Sequence, residues 1–344
     1  MSSVWILGQG GLLGSFLTTE IRQAGMNLWL PSTAMVFPWG QKNAMRSTLE
    51  HAAHAFGDAL PVERAERWTI VWAAGVGVVG SPKEMLQEET ETWKMLLDAL
   101  TSHVLPHHPH GLIFFCSSTG GIYGGCGRGE ITEATPPAPI SAYGEAKLEQ
   151  EQLLTTWAKQ HPSISTVIGR ISNLYGERQN LGKSQGLLSR LSEHMHRRIP
   201  LHIYVSLDTM RDYVYAGDCA KAIATVLSRI QCRKETEHLV KIFAAERITT
   251  IAEIIGIFTR LSKLRPRIVY GATHRTTEQP QCLRFRSIVQ QDILPILRHT
   301  QLTEGILRIH GYCQKLHAQG LLSRGEKTRD TPLHQKRSPL PSRA

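Results

Sequence analysis

Tyr143 and Lys147 stand four residues apart, the spacing of one helical turn, and are the pair in this sequence best placed to move a proton. Pro136, Pro137 and Pro139 suit a loop, since each lacks a backbone donor and fixes φ. From Ala142 the residues become helix-forming, through Glu145, Ala146, Lys147, Leu148, Glu149 and Gln150 to about Lys159. On one face of such a helix an ammonium lies beside a phenol and favours the phenolate, lowering a pKa of about 10. The pair can then pass a proton to or from a hydroxyl or carbonyl centre while a cofactor takes the hydride. A Tyr-x-x-x-Lys match also arises by chance about once in a chain this long. Two surface residues of an amphipathic helix are therefore the alternative, and the neighbouring stretches decide.

The third candidate is Thr119, in Ser117-Ser118-Thr119-Gly120-Gly121-Ile122-Tyr123-Gly124, after the apolar strand-like run Leu112 to Cys116. A hydroxyl at a strand end can bond a substrate oxygen and hold it against the phenol, while Lys147 can also reach a nicotinamide ribose. Ordinary turn chemistry is the alternative for these hydroxyls.

The elements that must position these residues start at the N-terminus. Val4 to Leu7 reads as a buried strand, Gly8-Gln9-Gly10-Gly11-Leu12-Leu13-Gly14 as a turn, and about Leu12 to Ala24 as a helix. Strand, glycine turn and helix present backbone N–H groups and a helix N-terminus to a pyrophosphate. Gly8, Gly11, Leu12 and Gly14 are the candidate cofactor contacts there. Asn27 to Leu30 is the second strand, and Pro31-Ser32-Thr33 after it has neither a carboxylate for a ribose 2′-hydroxyl nor a cation for a 2′-phosphate. Lys42 and Arg46 downstream either serve a phosphate or are exposed helix residues. Cofactor identity, NAD or NADP, stays open.

A helix over about Asn43 to Phe56, a strand from Trp68 to Ala74 and a long helix from Glu84 to Ser102 follow. The small residues Ala73, Ala74 and Gly75 let a dinucleotide lie against the strand end. This alternation predicts an α/β fold, a Rossmann-type doubly wound parallel sheet with ligands at the carboxyl ends of its strands. A smaller C-terminal lobe carries helices at about Gln185 to Arg197, Thr250 to Leu261 and Leu302 to His310. The expected organisation is a dinucleotide-binding domain over 1–170, to which later segments return, a substrate lobe over 171–320, and a basic disordered tail over 321–344.

With 344 residues, 41% hydrophobic and 20% charged, the chain can bury one large or two moderate cores. Apolar runs such as Trp68 to Val79 are too short or interrupted to cross a bilayer, and no charged leader precedes the first strand, so no membrane association and a cytoplasmic protein are expected. Cys116, Cys126, Cys219, Cys232, Cys282 and Cys313 show no zinc or disulfide spacing. Of the net charge of +10, the tail supplies +4, with six basic residues from Arg324 to Arg343 against Glu326 and Asp330; nucleic-acid binding is not expected. His103, His107, His108 and His110 lack acidic or cysteine neighbours, and no metal is expected.

Taken together, these stretches resemble the extended short-chain dehydrogenases/reductases, specifically the NAD-dependent epimerase/dehydratase family acting on nucleotide sugars. Gly8, Gly11 and Gly14 match its GxxGxxG turn, Ser117 to Gly124 its Ser-Ser-x-x-x-Tyr-Gly type segment, and Tyr143 and Lys147 its Tyr-x-x-x-Lys pair. Arg170 to Gly176 and Arg211 to Asp218 are similar to two further segments. The resemblance implies Thr119, Tyr143 and Lys147 as catalytic residues, Asn173 and Arg211 as contacts of a substrate diphosphate, and a homodimer through the helices at Glu84 to Ser102 and Ala142 to Lys159. It implies a nucleotide-sugar epimerase, with a reductase or dehydrogenase as the alternative. Glu89 and Thr92 stand where members often carry Asn. Gly120-Gly121 stand where the family's dehydratases carry Asp-Glu, which argues against dehydration. A fold retained for cofactor binding without turnover is the remaining reading, and the intact Thr119, Tyr143 and Lys147 set weighs against it.

Overall fold

The computed structural model describes residues 2–32, 35–61, 67–127, 129–181, 186–271 and 280–322. Thr33, Gln185 and the basic tail from Arg324 onward lie outside the described residues.

The first half alternates as its patterning predicts. β1 (Ser3–Leu7), α1 (Leu12–Gln23), β2 (Asn27–Trp29), α2 (Lys42–Asp58), β3 (Trp68–Trp72) and α3 (Lys83–His103) follow one another. After them come β4 (Gly111–Ser118), the one-turn α4 (Thr119–Ile122), β5 (Glu130–Ile131), α5 (Ala142–Gln160) and β6 (Ile164–Ile171). α5 begins where it does because the Ser141 side chain accepts from the Gly144 N–H at 3.2 Å, satisfying an amide the helix cannot. Thr119 opens a helical turn instead of lying in a plain loop, since Ser118 caps it in the same way by accepting from Gly121.

The second half contributes β7 (Asn173–Tyr175), α6 (Leu187–Arg197), β8 (Leu201–Ile203), β9 (Met210–Tyr215), α7 (Ala216–Gln231) and β10 (His238–Phe243). It ends in β11 (Ile248–Thr250), α8 (Ile251–Ser262), β12 (Ile268–Tyr270), β13 (Arg284–Phe285), α9 (Leu294–Leu297) and α10 (Leu302–Ala318). α10 runs well past the expected end at His310.

Six strands form a parallel sheet in the order β10-β6-β4-β3-β1-β2. The order reverses at β1, which has β2 on one side and β3 on the other, so the carboxyl ends of β1 and β3 flank the crevice where such sheets bind ligands. Alternating side chains give each sheet face its own core. Trp5, Trp68, Trp72 and Phe115 join Phe56 and Trp93 on the α2 and α3 side; Val4, Ile6, Val71 and Phe114 pack with α1 and α7 on the other. Full burial of each such Phe or Ile contributes about 1.5–3 kcal/mol. A separate cluster joins α6, α8 and α10 around Leu191, Ile254, Phe258 and Ile306, beside the small sheet β11-β9-β7. Among the described residues no helix is long and apolar enough to cross a membrane.

Candidate active site

The glycine turn is shaped by backbone contact. Gly8 has φ +94°, and a Cβ there would lie 2.5 Å from the carbonyl of Ala73. A Cβ on Gly14 would lie 2.1 Å from the Gly8 oxygen, so α1 can pass this close only without a side chain. Gly11 N donates back to Gly8 O at 2.9 Å, while Ala73 N donates to Leu7 O at 2.9 Å and holds the β1 and β3 ends together. Gly10 faces open space, so its lack of a side chain is not required by packing. Gly11 precedes Leu12, the first residue of α1, and no side chain caps that helix. Its first amides are thus available to an anion, which fits the pyrophosphate of a dinucleotide.

Across the crevice, the Tyr143 ring is set between two glycines. A Cβ on Gly121 would lie 3.1 Å from its Cε1, and one on Gly77 would lie 3.6 Å from its Cδ2. Gly144 lets α5 close on α4, since a Cβ there would meet the Gly121 oxygen at 2.1 Å. One turn on, Lys147 Nζ lies 5.9 Å from the centre of the Tyr143 ring and 5.5 Å from that of Phe115. The helical spacing read in the sequence is therefore realised as a phenol and an ammonium at the carboxyl ends of β3 and β4.

Lys147 is not paired with Tyr143 alone. Its Nζ donates to Glu89 Oε1 at 2.7 Å and to Gln150 Oε1 at 3.0 Å. Glu89 comes from α3, and its Oε2 accepts from the amides of Val76 and Gly77 at 3.2 and 3.1 Å. Both charged side chains are more than nine-tenths buried. Burial opposes the charge on Glu89, but Lys147 and the two amides outweigh it and hold the carboxyl below its ordinary range. Burial likewise opposes charge on Lys147, and Glu89 with Tyr143 outweighs it, holding the ammonium above its ordinary range. The Cys116 thiol beside them is pushed up to about 12 by burial, with Lys147 opposing, and stays protonated.

Gly75 and Gly77 make room for this carboxylate. A Cβ on Gly75, at φ +143°, would lie 2.7 Å from Glu89 Oε1, and one on Gly77 would lie 3.1 Å from Oε2. Ala73 sits against the Gly8 turn and Ala74 against the aromatic core. The contact of Glu89 with Lys147 is the feature of the candidate site that sequence reasoning missed. Its signal was present, because Glu89 falls on the helical stripe of Leu86, Trp93 and Leu96, which is otherwise buried and apolar.

Of the remaining candidates, Thr119 follows β4 of the large sheet, and Asn173 and Arg211 lie on β7 and β9 of the three-stranded sheet. Thr119 is 1% exposed and its hydroxyl donates to Ile171 O at 3.3 Å, tying the end of β4 to the end of β6. Asn173 opens β7, and its Nδ2 donates to Asp212 O at 2.9 Å. Arg211, on β9, donates to Met210 O at 2.8 Å and Gln281 O at 3.4 Å, and Gln281 lines a cleft of about 200 Å³ with Gly124, Gly125, Gly127, Pro280 and Cys282. Among the described residues Arg211 forms no ion pair with its neighbours Asp212 and Asp218. Asp212 accepts from Ser172, Ala245 and Arg247, and Asp218 accepts from Thr300. Lys42 pairs with Glu91 at 2.7 Å, so it is engaged on α3. Among the described residues no group of three or more His, Cys, Asp and Glu could hold a metal.

The model of the NAD dependent epimerase/dehydratase family matches residues 4–240. An uncharacterized UDP-glucose epimerase of Bacillus subtilis, YtcB, is 31% identical over 167 residues, 48% of each chain. The dTDP-4-dehydro-6-deoxyglucose reductase of Escherichia coli is 31% identical over 151 residues, 44% of this chain and 46% of that one. The matched stretch thus spans about half the length of these curated relatives. The solved UDP-glucose 4-epimerase of Thermotoga maritima with UDP-glucose superposes with a TM-score of 0.72 at 20% identity, covering 92% of this chain and 99% of the other. That of Thermus thermophilus with NAD gives 0.70 at 19%, covering 91% and 99%. These structural likenesses show the Rossmann-type fold; the family match over residues 4–240 shows that the chain belongs to the NAD dependent epimerase/dehydratase family.

Proposed function

We propose that the protein is an NAD(P)-dependent epimerase that inverts a carbon of a nucleotide sugar by reversible hydride transfer. The observation that carries this reading is the Tyr143 ring set between Gly77 and Gly121 with the Lys147 ammonium 5.9 Å from its centre, at the carboxyl ends of β3 and β4. Gly8, Gly11, Leu12 and Gly14 hold the pyrophosphate, Ala73, Ala74 and Gly75 flank the dinucleotide, and Tyr143 and Lys147 meet its nicotinamide end. A bound nicotinamide supplies a hydride acceptor and, once reduced, a hydride donor. Tyr143 Oη takes the proton of a sugar hydroxyl as the carbon beneath it is oxidised, and returns it when the ketone is reduced on its other face. Thr119 holds that sugar oxygen, while Asn173 and Arg211 orient the diphosphate. Gly120 and Gly121 have no side chain to transfer a proton, which weighs against loss of water.

The names of the relatives point to UDP- or dTDP-linked sugars. The reductase among them favours a second reading, in which the reduced or oxidised sugar leaves instead of turning over in place. One experiment separates the two. Purified protein is given UDP-glucose with NAD, and the mixture is analysed for UDP-galactose, alongside mass spectrometry of small molecules released from the untreated protein. Epimer formation with retained NAD supports the epimerase; net NADH or NADPH consumption on a keto sugar with an empty site supports the reductase; neither activity on a nucleotide-sugar panel overturns both. A homodimer through the outer faces of α3 and α5, which pack side by side, is part of this reading. Light scattering showing a strict monomer at micromolar concentration removes it.

A further inference from the structure

Glu89 places a second buried charge where the proposed reaction needs only one. A lone Lys147 ammonium at the nicotinamide end would repel the oxidised ring, which is a cation, and would leave the neutral reduced ring unaffected. Glu89 touches that ammonium at 2.7 Å, and its other oxygen is fixed by the amides of Val76 and Gly77. Gly75 and Gly77 leave the space that the carboxylate fills. Among the described residues the other charged or titratable groups facing Lys147 are Tyr143 on its own helix and Cys116 on β4, and neither is a second carboxylate.

We propose that Glu89 is a positioning residue that neutralises Lys147 and thereby sets the preference of the site for the oxidised over the reduced dinucleotide. The inference rests on the proposed nicotinamide site. It concerns which redox form binds better, which a carboxylate serving only to brace α3 against α5 would not affect.

The test is equilibrium binding of NADH by fluorescence, with NAD+ as competitor, to the full-length parent and three variants. The sign of the effect carries the answer. Glu89→Gln leaves an unbalanced cation and should weaken NAD+ relative to NADH by about tenfold, from Coulomb attraction in a partly screened site. Lys147→Met leaves an unbalanced anion and should move the ratio the opposite way. The double variant Glu89→Gln with Lys147→Met is neutral again, should return toward the parent ratio, and carries the test if one single variant fails to fold. A ratio unchanged across the series, or losses equal for both redox forms, overturns the role of Glu89 while leaving the cofactor site standing. A folded parent that binds neither form overturns the proposed function and this inference with it.

Discussion

Helix α5 carries two buried ion pairs one turn apart, and they are completed differently. Glu151 receives Arg170 through two bonds, Nε at 3.0 Å and Nη2 at 2.6 Å, and also accepts from Ser117 at 2.6 Å. The remaining Nη1 of Arg170 donates to Tyr123 Oη at 2.5 Å, and Tyr123 in turn donates to Thr132 O at 3.2 Å. This pair joins α5 to β4 and β6 within protein. Lys147 and Glu89 are buried to the same degree. The ammonium has three donors but only two hydrogen-bond acceptors among the described residues, and it lies beside the aromatic faces of Tyr143 and Phe115. Burial alone therefore does not distinguish the two pairs. Their neighbours do: Arg170 donates to the Tyr123 hydroxyl, whereas Lys147 lies against the faces of Tyr143 and Phe115.

The sharpest way to break that comparison is Arg170→Met. Removing one partner leaves the Glu151 carboxylate buried with a single hydroxyl, so urea unfolding should show a loss of about 3–5 kcal/mol. If Arg170→Met unfolds like the parent, the pair is not the structural fixture described. Tyr143→Phe tests the other end. It keeps the ring between Gly77 and Gly121 but removes the proton carrier, so turnover should fall roughly 100-fold, about 2.7 kcal/mol of barrier, with unfolding and dinucleotide affinity retained. Parental turnover in that variant on the true substrate would return Tyr143 to an ordinary helix residue.

Thr119→Val is the intermediate case, because this hydroxyl serves the fold through Ile171 O in the structure and the substrate in the proposed reaction. One hydrogen bond of net worth about 0.5–1.5 kcal/mol gives a roughly two- to tenfold loss of turnover, with cofactor affinity retained. Equal loss of stability and no loss of turnover would leave only the structural role.

What the sequence made legible follows the same division. Gly8, Gly11 and Gly14 could be read because a tight turn between a strand and a helix constrains residue type locally, and Tyr143 with Lys147 because helical spacing alone puts them on one face. Strand existence was readable for Val4 to Leu7 and Leu112 to Cys116, whose near-continuous apolar runs suit strands covered on both faces. Partners distant in the chain were not legible. Glu89 lies 58 residues from Lys147, and β10 completes the sheet from beyond residue 237, through pairing no local pattern specifies. α5 also hid its buried face, because Lys147, Gln150 and Glu151 occupy core-facing positions where the periodic signal expects apolar residues. Arg170 was recognisable as part of a family-like segment, but its work lies beneath the site, not in it.

The smallest expected effect separates the two ion pairs by pH, and its sign follows from the folded-state shifts. Glu89 is held below its ordinary 4.5, so the unfolded chain binds more protons there; its contribution is present above that pH and is lost as pH falls through the lowered value. Lys147 is held above its ordinary 10.5, so its contribution is complete below that pH and is lost as pH rises through the raised value. Burial opposes the charge on Arg170, but Glu151 and Tyr123 outweigh it and hold the guanidinium above its ordinary range, so it does not deprotonate at an accessible pH. The stability difference between the parent and Lys147→Met should therefore be flat between about pH 5 and 10 and shrink on the alkaline side, whereas that between the parent and Arg170→Met should persist there. Unfolding free energies of the three proteins, measured from pH 5 to pH 11 at constant ionic strength, provide the comparison. An alkaline decline of equal size for both variants would mean that the ammonium in the cleft is held no differently from the guanidinium beneath it.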